Sequence, residues 1–442
     1  MKKLLLLSAA LLVSTSAAKA SDVTIATVNN PDMVLMEKLS AEFSKTHPGT
    51  TVKFVVLPDA ALRQNITQDV AVGGGRYDIV TVGPYEVQSG WVANKWLAPL
   101  TPMFDALPAA DKSAYDLDDL IGTIKGSLTV DTSLYALPFY GESSFTMYRK
   151  DLFEKAGIKM PDEPTWTDIA DAACKLNDPA NGVYGIAMKG LPDYGQLAPF
   201  ITFMHSHGAK WFDEKWNPQI NSPEFKKAFV AYTDLVKKCG APGAPSIGFN
   251  EALTLTSQGK AAIWVDATVA AGLLADPKTS KVAGKIGYAV SPTQGSKNGS
   301  AWLWTWSLGI VESSKHKDEA FAFIRWATSK DYVDLVAKSE GPYRIPPGTR
   351  KSTYSRADYV KAADFAPIVL KAIEAADLKK PAKDPVPYTG TAQVNIPEYA
   401  SWAAEFGQNF SAVIAGSMSV DDALNKSQAA AVKTMTEAGY IK

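Results

Sequence analysis

The stretch DVTIATVNNPDMVLMEKLSAEFSKTHPG, residues 22–49, decides the fold class. Residues 23–28 are apolar or β-branched without interruption, the pattern of a strand buried on both faces. Asn29-Asn30 break the run, and Pro31 suits a first helical turn because its missing N–H has no partner to lose there. Apolar residues then recur at helical spacing until Pro48-Gly49 stops them. The unit continues with TVKFVVL (51–57) as a strand, DAALRQNITQDVAVGGG (59–75) as a helix ending in glycines, and YDIVTVG (77–83) as a third strand. This βαβαβ order predicts an α/β fold with helices layered on a sheet. Such sheets bind ligands beyond the carboxyl ends of their strands. Here those ends are Asn29-Asn30 and Gly83-Pro84-Tyr85-Glu86, polar or aromatic clusters directly after apolar strands.

Further along, the same alternation returns in a different order. SLYALPFYGESSFTMYRKDLFEKAGI (133–158) predicts two strands around a polar kink and then a helix, and GVYGIAM (182–188) is a short strand. AAIWVDATVAAGLLA (261–275) reads as a strand running into a helix at Asp266, and KIGYAVSP (285–292) as another strand. In AWLWTWSLGI (301–310), Trp302, Trp304 and Trp306 occupy every second position, which on a strand turns all three indoles to one face. Such a stripe either fills a core or offers flat platforms to the C–H faces of a sugar or polyol. Helical patterns cover 313–339 and close the chain over 397–416 and 420–438.

The chain of 442 residues is longer than one hydrophobic core ordinarily serves, which predicts two lobes. MKKLLLLSAALLVSTSAAKA (1–20) has a basic start, a short apolar run and the small-x-small triplet Ala18-Lys19-Ala20. It reads as a secretory signal peptide and predicts an exported protein. The formal net charge of −1 gives no footing for nucleic acid or an anionic membrane. The two cysteines, Cys174 and Cys239, each lie near the end of a helical pattern. In an oxidising compartment they either bridge or lie separately buried.

Catalytic patterns are sparse. Glycines 73–75 follow a helix and lack the Lys-Ser/Thr of a phosphate loop, so they read as a cap and turn. His205 and His207 are two apart on a helical pattern and do not face one metal. Ser143-Ser144 has no neighbouring histidine and no nucleophile elbow. A pair of carboxylates such as Glu142 and Asp266 is what glycoside hydrolysis would need, although carboxylates also serve plain sugar binding. No cofactor or metal is expected.

YGESS (140–144), KGLPDYGQ (189–196), WVDATVAAG (264–272) and YRIPPGTRKS (343–352), with GRYDIVTVG (75–83) and PEYASWAAEF (397–406), resemble the extracellular solute-binding proteins of bacterial ABC importers. The likeness spans the mature chain and is greatest to the carbohydrate branch, more narrowly to sorbitol- and mannitol-binding proteins. It implies a two-lobe periplasmic-binding-protein fold of type II, each lobe a mixed sheet flanked by helices, with three hinge crossings. The implied N-lobe is 21–138 plus 306–388 and the implied C-lobe 139–305 plus 389–442. Crossings are then expected near Leu137-Pro138, Trp304-Ser307 and Tyr388-Gln393, with the first indoles at the cleft and Trp306 in packed structure. The resemblance further implies a monomer that binds a small polyol or sugar and passes it to a membrane permease. Asn30, Glu86, Tyr140, Glu142, Asp193, Asp266 and Arg344 would hydrogen-bond hydroxyls, while Trp302 and Trp304 would stack. Plainer roles exist for some: Asp266 as a helix cap, Arg344 as the partner of Glu340, Tyr140 as core. Lys189 departs from the family pattern, where arginine is common, and presents a point charge in place of a planar fork. A secreted carbohydrate-active enzyme is the alternative function.

Overall fold

Strand β1 (Ser21–Val28) pairs in parallel with β2 (Thr50–Leu57) along its whole length, from Ser21 opposite Thr50 to Val28 opposite Leu57. The computed structural model describes residues 21–442, so the signal-peptide reading of residues 1–20 lies outside the described residues. Helix α1 (Pro31–Thr46) connects these strands, α2 (Asp59–Ala71) follows, and β3 (Ile79–Val82) pairs on the other side of β1. Helix α1 buries Met33, Leu35, Met36, Leu39 and Phe43, the apolar positions that its spacing announced. Each such side chain contributes about 1.5–3 kcal/mol by leaving water.

The remaining principal strands are β4 (Ala136–Glu142), β5 (Ser144–Arg149), β6 (Tyr184–Ala187), β7 (Ala261–Ala267), β8 (Ile286–Val290) and β9 (Trp304–Ile310). The first sheet runs β2-β1-β3-β9-β4, with β9 antiparallel to both neighbours. The second runs β8-β5-β7-β6, antiparallel except for β7 with β6. Two mixed sheets flanked by helices make the two lobes.

Two crossings fall elsewhere than expected. Strand β4 stays paired with β9 through Glu142, and β5 begins the second sheet at Ser144, so the chain changes sheet at Ser143 and not at Leu137-Pro138. The return lies between Val290 and Trp304, because β9 belongs to the first sheet from its first residue. The indole stripe is correspondingly shorter than its spacing suggests: Trp304 and Trp306 are in β9, and Trp302 precedes it. Asp266 lies inside β7, four residues ahead of the first residue of the short helix Ala270–Ala275, and does not cap it.

In the second lobe, the helix Trp166–Leu176 and the helix Pro223–Cys239 are joined by a Cys174–Cys239 disulfide with Cα atoms 5.0 Å apart. The helix Tyr399–Ile414 returns to this lobe, packing Phe406 and Phe410 against Phe200 and Phe229. Among the described residues no helix is long and apolar enough to cross a membrane.

Candidate functional site

Strands β4 and β9 set the floor of the site. Glu142 lies opposite Trp304 and Tyr140 opposite Trp306, and the two-residue period sends all four side chains to one face. Beyond Trp306 the register slips: Ser307 meets Pro138, leaving Phe139 as the extra residue of a bulge. The four side chains face a cavity of about 420 Å³ between the two sheets, well inside the range of small-ligand sites. Its walls come from the ends of β1 and α2 on one side and from the 189–196 and 248–251 loops on the other.

Arg63 is the centre of the first-lobe wall, and sequence reasoning missed it. Its Nε donates to Asp59 Oδ1 at 2.6 Å, one helical turn back, and its Nη1 pairs with Glu86. The guanidinium also lies 5.4 Å from the rings of both Trp304 and Trp306 and 5.8 Å from that of Tyr194. Two carboxylates and three aromatic faces thus hold one cation still. The fold makes its role plain: α2 buries Asp59, Arg63 and Asp69, and a helix whose inward face carries charge is facing something other than an oily core.

Glu86 therefore stands behind Arg63 and not on the cavity wall. Its second oxygen accepts from the Gly83 N–H at 2.8 Å, closing the turn after β3. Gly83 is required there, because a Cβ would overlap the Trp304 indole.

Of the other expected residues, Asn30, Tyr140, Glu142, Asp193, Trp302 and Trp304 all line the cavity. Asn30 Nδ2 donates to the Tyr140 hydroxyl at 2.7 Å. Burial pushes the Glu142 carboxyl up to about 8, with Lys189 opposing and the negative charge of Asp266 and Asp32 adding. Near neutral pH Glu142 is therefore mostly protonated, able both to donate and to accept, as a hydroxyl does. Burial likewise raises Asp193 to about 6, reinforced by Asp59 and opposed by the Gly195 N–H that donates to it at 2.9 Å.

Asp266 is fully buried one layer out. It takes Lys189 Nζ at 3.1 Å, the Trp264 indole N–H at 3.1 Å and the Ala267 N–H at 2.8 Å, and Lys189 carries its charge to the wall. Trp306, expected in packed structure, lines the cavity with the other indoles because β9 keeps its alternation past Trp304. Phe249, Asn250, Gln196 and Gln393 were not expected on this wall. Gln393 Oε1 is buried without a hydrogen-bond partner, an acceptor aimed at nothing in the protein.

Arg344, like Glu86 and Asp266, is off the cavity wall, and unlike them it supports no residue on it. It sits between Asp32 Oδ1 at 3.9 Å and Asp276 Oδ2 at 3.7 Å, in a separate small crevice, while Glu340 pairs with Lys38 at 2.7 Å. Among the described residues no group of His, Cys, Asp and Glu could hold a metal ion.

Comparison with known proteins gives a consistent picture. The profile of the bacterial extracellular solute-binding protein family matches residues 29–334. A mannitol-binding protein of Pseudomonas aeruginosa is 45% identical over 441 residues, covering 100% of this chain and 99% of the relative. Among solved structures, an ABC transporter solute-binding protein of Agrobacterium vitis S4 with bound D-mannitol superposes with a TM-score of 0.92 at 49% identity, over 95% of this chain and 100% of that one. A solute-binding protein of Agrobacterium radiobacter K84 in complex with ribitol has a TM-score of 0.82 at 27% identity, over 94% and 99%.

Proposed function

The chain belongs to the bacterial extracellular solute-binding proteins, and from that premise we propose that it captures a small acyclic polyol, a hexitol such as mannitol, between its lobes and delivers it to an ABC permease. The observation that carries this reading is the lining of the 420 Å³ cavity: three indoles, and beside them groups that can both donate and accept. Each hydroxyl of a polyol both donates and accepts, so a protonated Glu142 and the Tyr140 hydroxyl match it, and the unpartnered Gln393 carbonyl offers a further acceptor. A fixed cation at Arg63 and another at Lys189 supply donors at the two walls. The likeness to proteins named for or holding mannitol favours a hexitol among polyols.

In this reading Asn30, Tyr140, Glu142, Asp193, Trp302 and Trp304 touch the ligand, while Asp266 and Glu86 position Lys189 and Arg63. The N-lobe is 21–142 with 304–388 and the C-lobe 144–290 with 397–442, and closure over the ligand is a hinge motion at the crossings. Residues 1–20 direct export to the periplasm. Turnover is not part of the proposal: Asp266, the carboxylate that hydrolysis would pair with Glu142, has both oxygens occupied by Lys189, Trp264 and Ala267.

A thermal-shift panel of hexitols, pentitols, glucose and maltose tests the assignment. A hexitol at 100 times its dissociation constant should add about 2.7 kcal/mol of apparent stability. A shift with maltose alone would reject the polyol and leave the family intact.

A further inference from the structure

A second cavity, of about 190 Å³, lies directly beyond the first: Arg63 lines both, and Tyr194, whose ring is 5.8 Å from the Arg63 guanidinium, lines the second while its chain neighbours Asp193 and Gly195 line the first. They are the wall between them. We infer that Arg63 and Tyr194 form a partition that limits ligand length, so that the chain accepts a free polyol and rejects one carrying a glycosyl unit. The inference rests on the polyol reading of the main cavity.

The second cavity has the makings of a sugar-ring site. Tyr85, Trp91 and Trp96 give it aromatic walls, and Ser89, Asn94 and Glu86 give it polar groups. Aromatic faces beside hydroxyl and amide groups suit one more glycosyl unit. Its volume is close to half that of the main cavity, room for an extension and not for a second large ligand.

The partition is held rigidly. Asp59 and Glu86 clamp the guanidinium, and the Tyr194 ring packs edge-on against Tyr85 and Tyr399 at 6.4 and 5.9 Å. It is also assembled from both lobes, because Arg63 comes from α2 and Tyr194 from the 193–196 loop. Gln196 of that loop donates to Asp59 Oδ2 at 3.3 Å, so the piece that meets Arg63 is fastened to the residue that clamps it. A ligand end that reaches Arg63 therefore meets a charge-balanced wall and not a movable side chain.

Two variants open the wall. Tyr194→Ala removes the aromatic half and leaves the ion pairs in place. Arg63→Ser combined with Glu86→Gln removes the cationic half without stranding the Glu86 charge. Calorimetry with D-mannitol and with 1-O-α-D-glucopyranosyl-D-mannitol reads the result. The wild type should bind mannitol at least 100-fold more tightly than the glucosyl derivative, and at least one variant should gain tenfold or more for the derivative. Wild-type affinities within threefold of each other overturn the partition, as do variants that still bind mannitol and gain nothing for the derivative. A wild type that ignores all free hexitols and pentitols instead overturns the polyol reading, and the partition with it.

Discussion

Lys189 Nζ lies 3.1 Å from Asp266 Oδ1 with both side chains buried, and the two ends of this pair are unequally supported. Asp266 keeps two other donors, the Trp264 indole and the Ala267 amide, if the lysine is removed. Lys189 loses its one close ion-pair partner among the described residues if the aspartate is neutralised. Asp266→Asn should therefore cost about 3–5 kcal/mol in urea denaturation, and Lys189→Met distinctly less. Losses in the reverse order would contradict this assignment of roles.

Stability of the unliganded protein should fall as pH rises from 6.5 to 8. Burial raises Glu142 to about 8, against roughly 4.3 in an unfolded chain. Across that interval the folded protein holds a proton that the unfolded chain has lost, so raising the pH favours unfolding until Glu142 ionises. The slope is at most about 1.4 kcal/mol per pH unit from this group. His205 acts in the opposite sense: burial lowers it to about 3, so below about 6.5 the unfolded chain gains a proton that the folded one refuses. Glu142→Gln should flatten the 6.5-to-8 slope, and denaturation curves at both pH values decide it; an unchanged slope would mean that Glu142 is ionised throughout.

The indoles should behave as one surface. Because Trp302, Trp304 and Trp306 all border the cavity, Ala at each position should weaken hexitol binding by about 1–3 kcal/mol. Each substitution should also cost about 3–5 kcal/mol of stability, since all three side chains are buried. Gly83→Ala should mimic Trp304→Ala in affinity by displacing the ring, and adding Trp304→Phe should restore part of the loss. Titration of the four single variants and the double variant checks the set; Gly83→Ala with native affinity would show that the ring position is not critical.

Arg344 tests closure apart from ligand contact. Asp32 follows β1 of the first sheet and Asp276 follows β7 of the second, so the arginine between them ties one lobe to the other outside the cavity. Arg344→Gln should enlarge the unliganded radius of gyration and weaken hexitol binding roughly fivefold, about 1 kcal/mol. The ligand-saturated scattering profile should be that of the wild type. Unchanged affinity and scattering would remove the tie from the account.

The fold was legible because local patterns agree with it. Strand runs, the glycine and proline stops, and the apolar spacing of α1 each bear on elements a few residues long. The crossings were misplaced because pairing, not composition, decides where β4 ends: nothing in YGESS announces that Glu142 still faces Trp304. At the site, residues just after strands were found, as Asn30 was, since topology puts them in the cleft. Arg63 was hidden because its partners Glu86, Trp304 and Tyr194 are distant in sequence and meet it only in the fold. Arg344 was misassigned for the converse reason: a motif fixes its residue type, but its neighbours Asp32 and Asp276 come from elsewhere in the chain.

The most direct test of the account is isothermal titration of the mature protein with D-mannitol, followed by recovery of the sugar alcohol. The account predicts saturable binding at one site per chain and mannitol returned unchanged. No heat with mannitol or any other hexitol, or a hexitol converted to product, would contradict it.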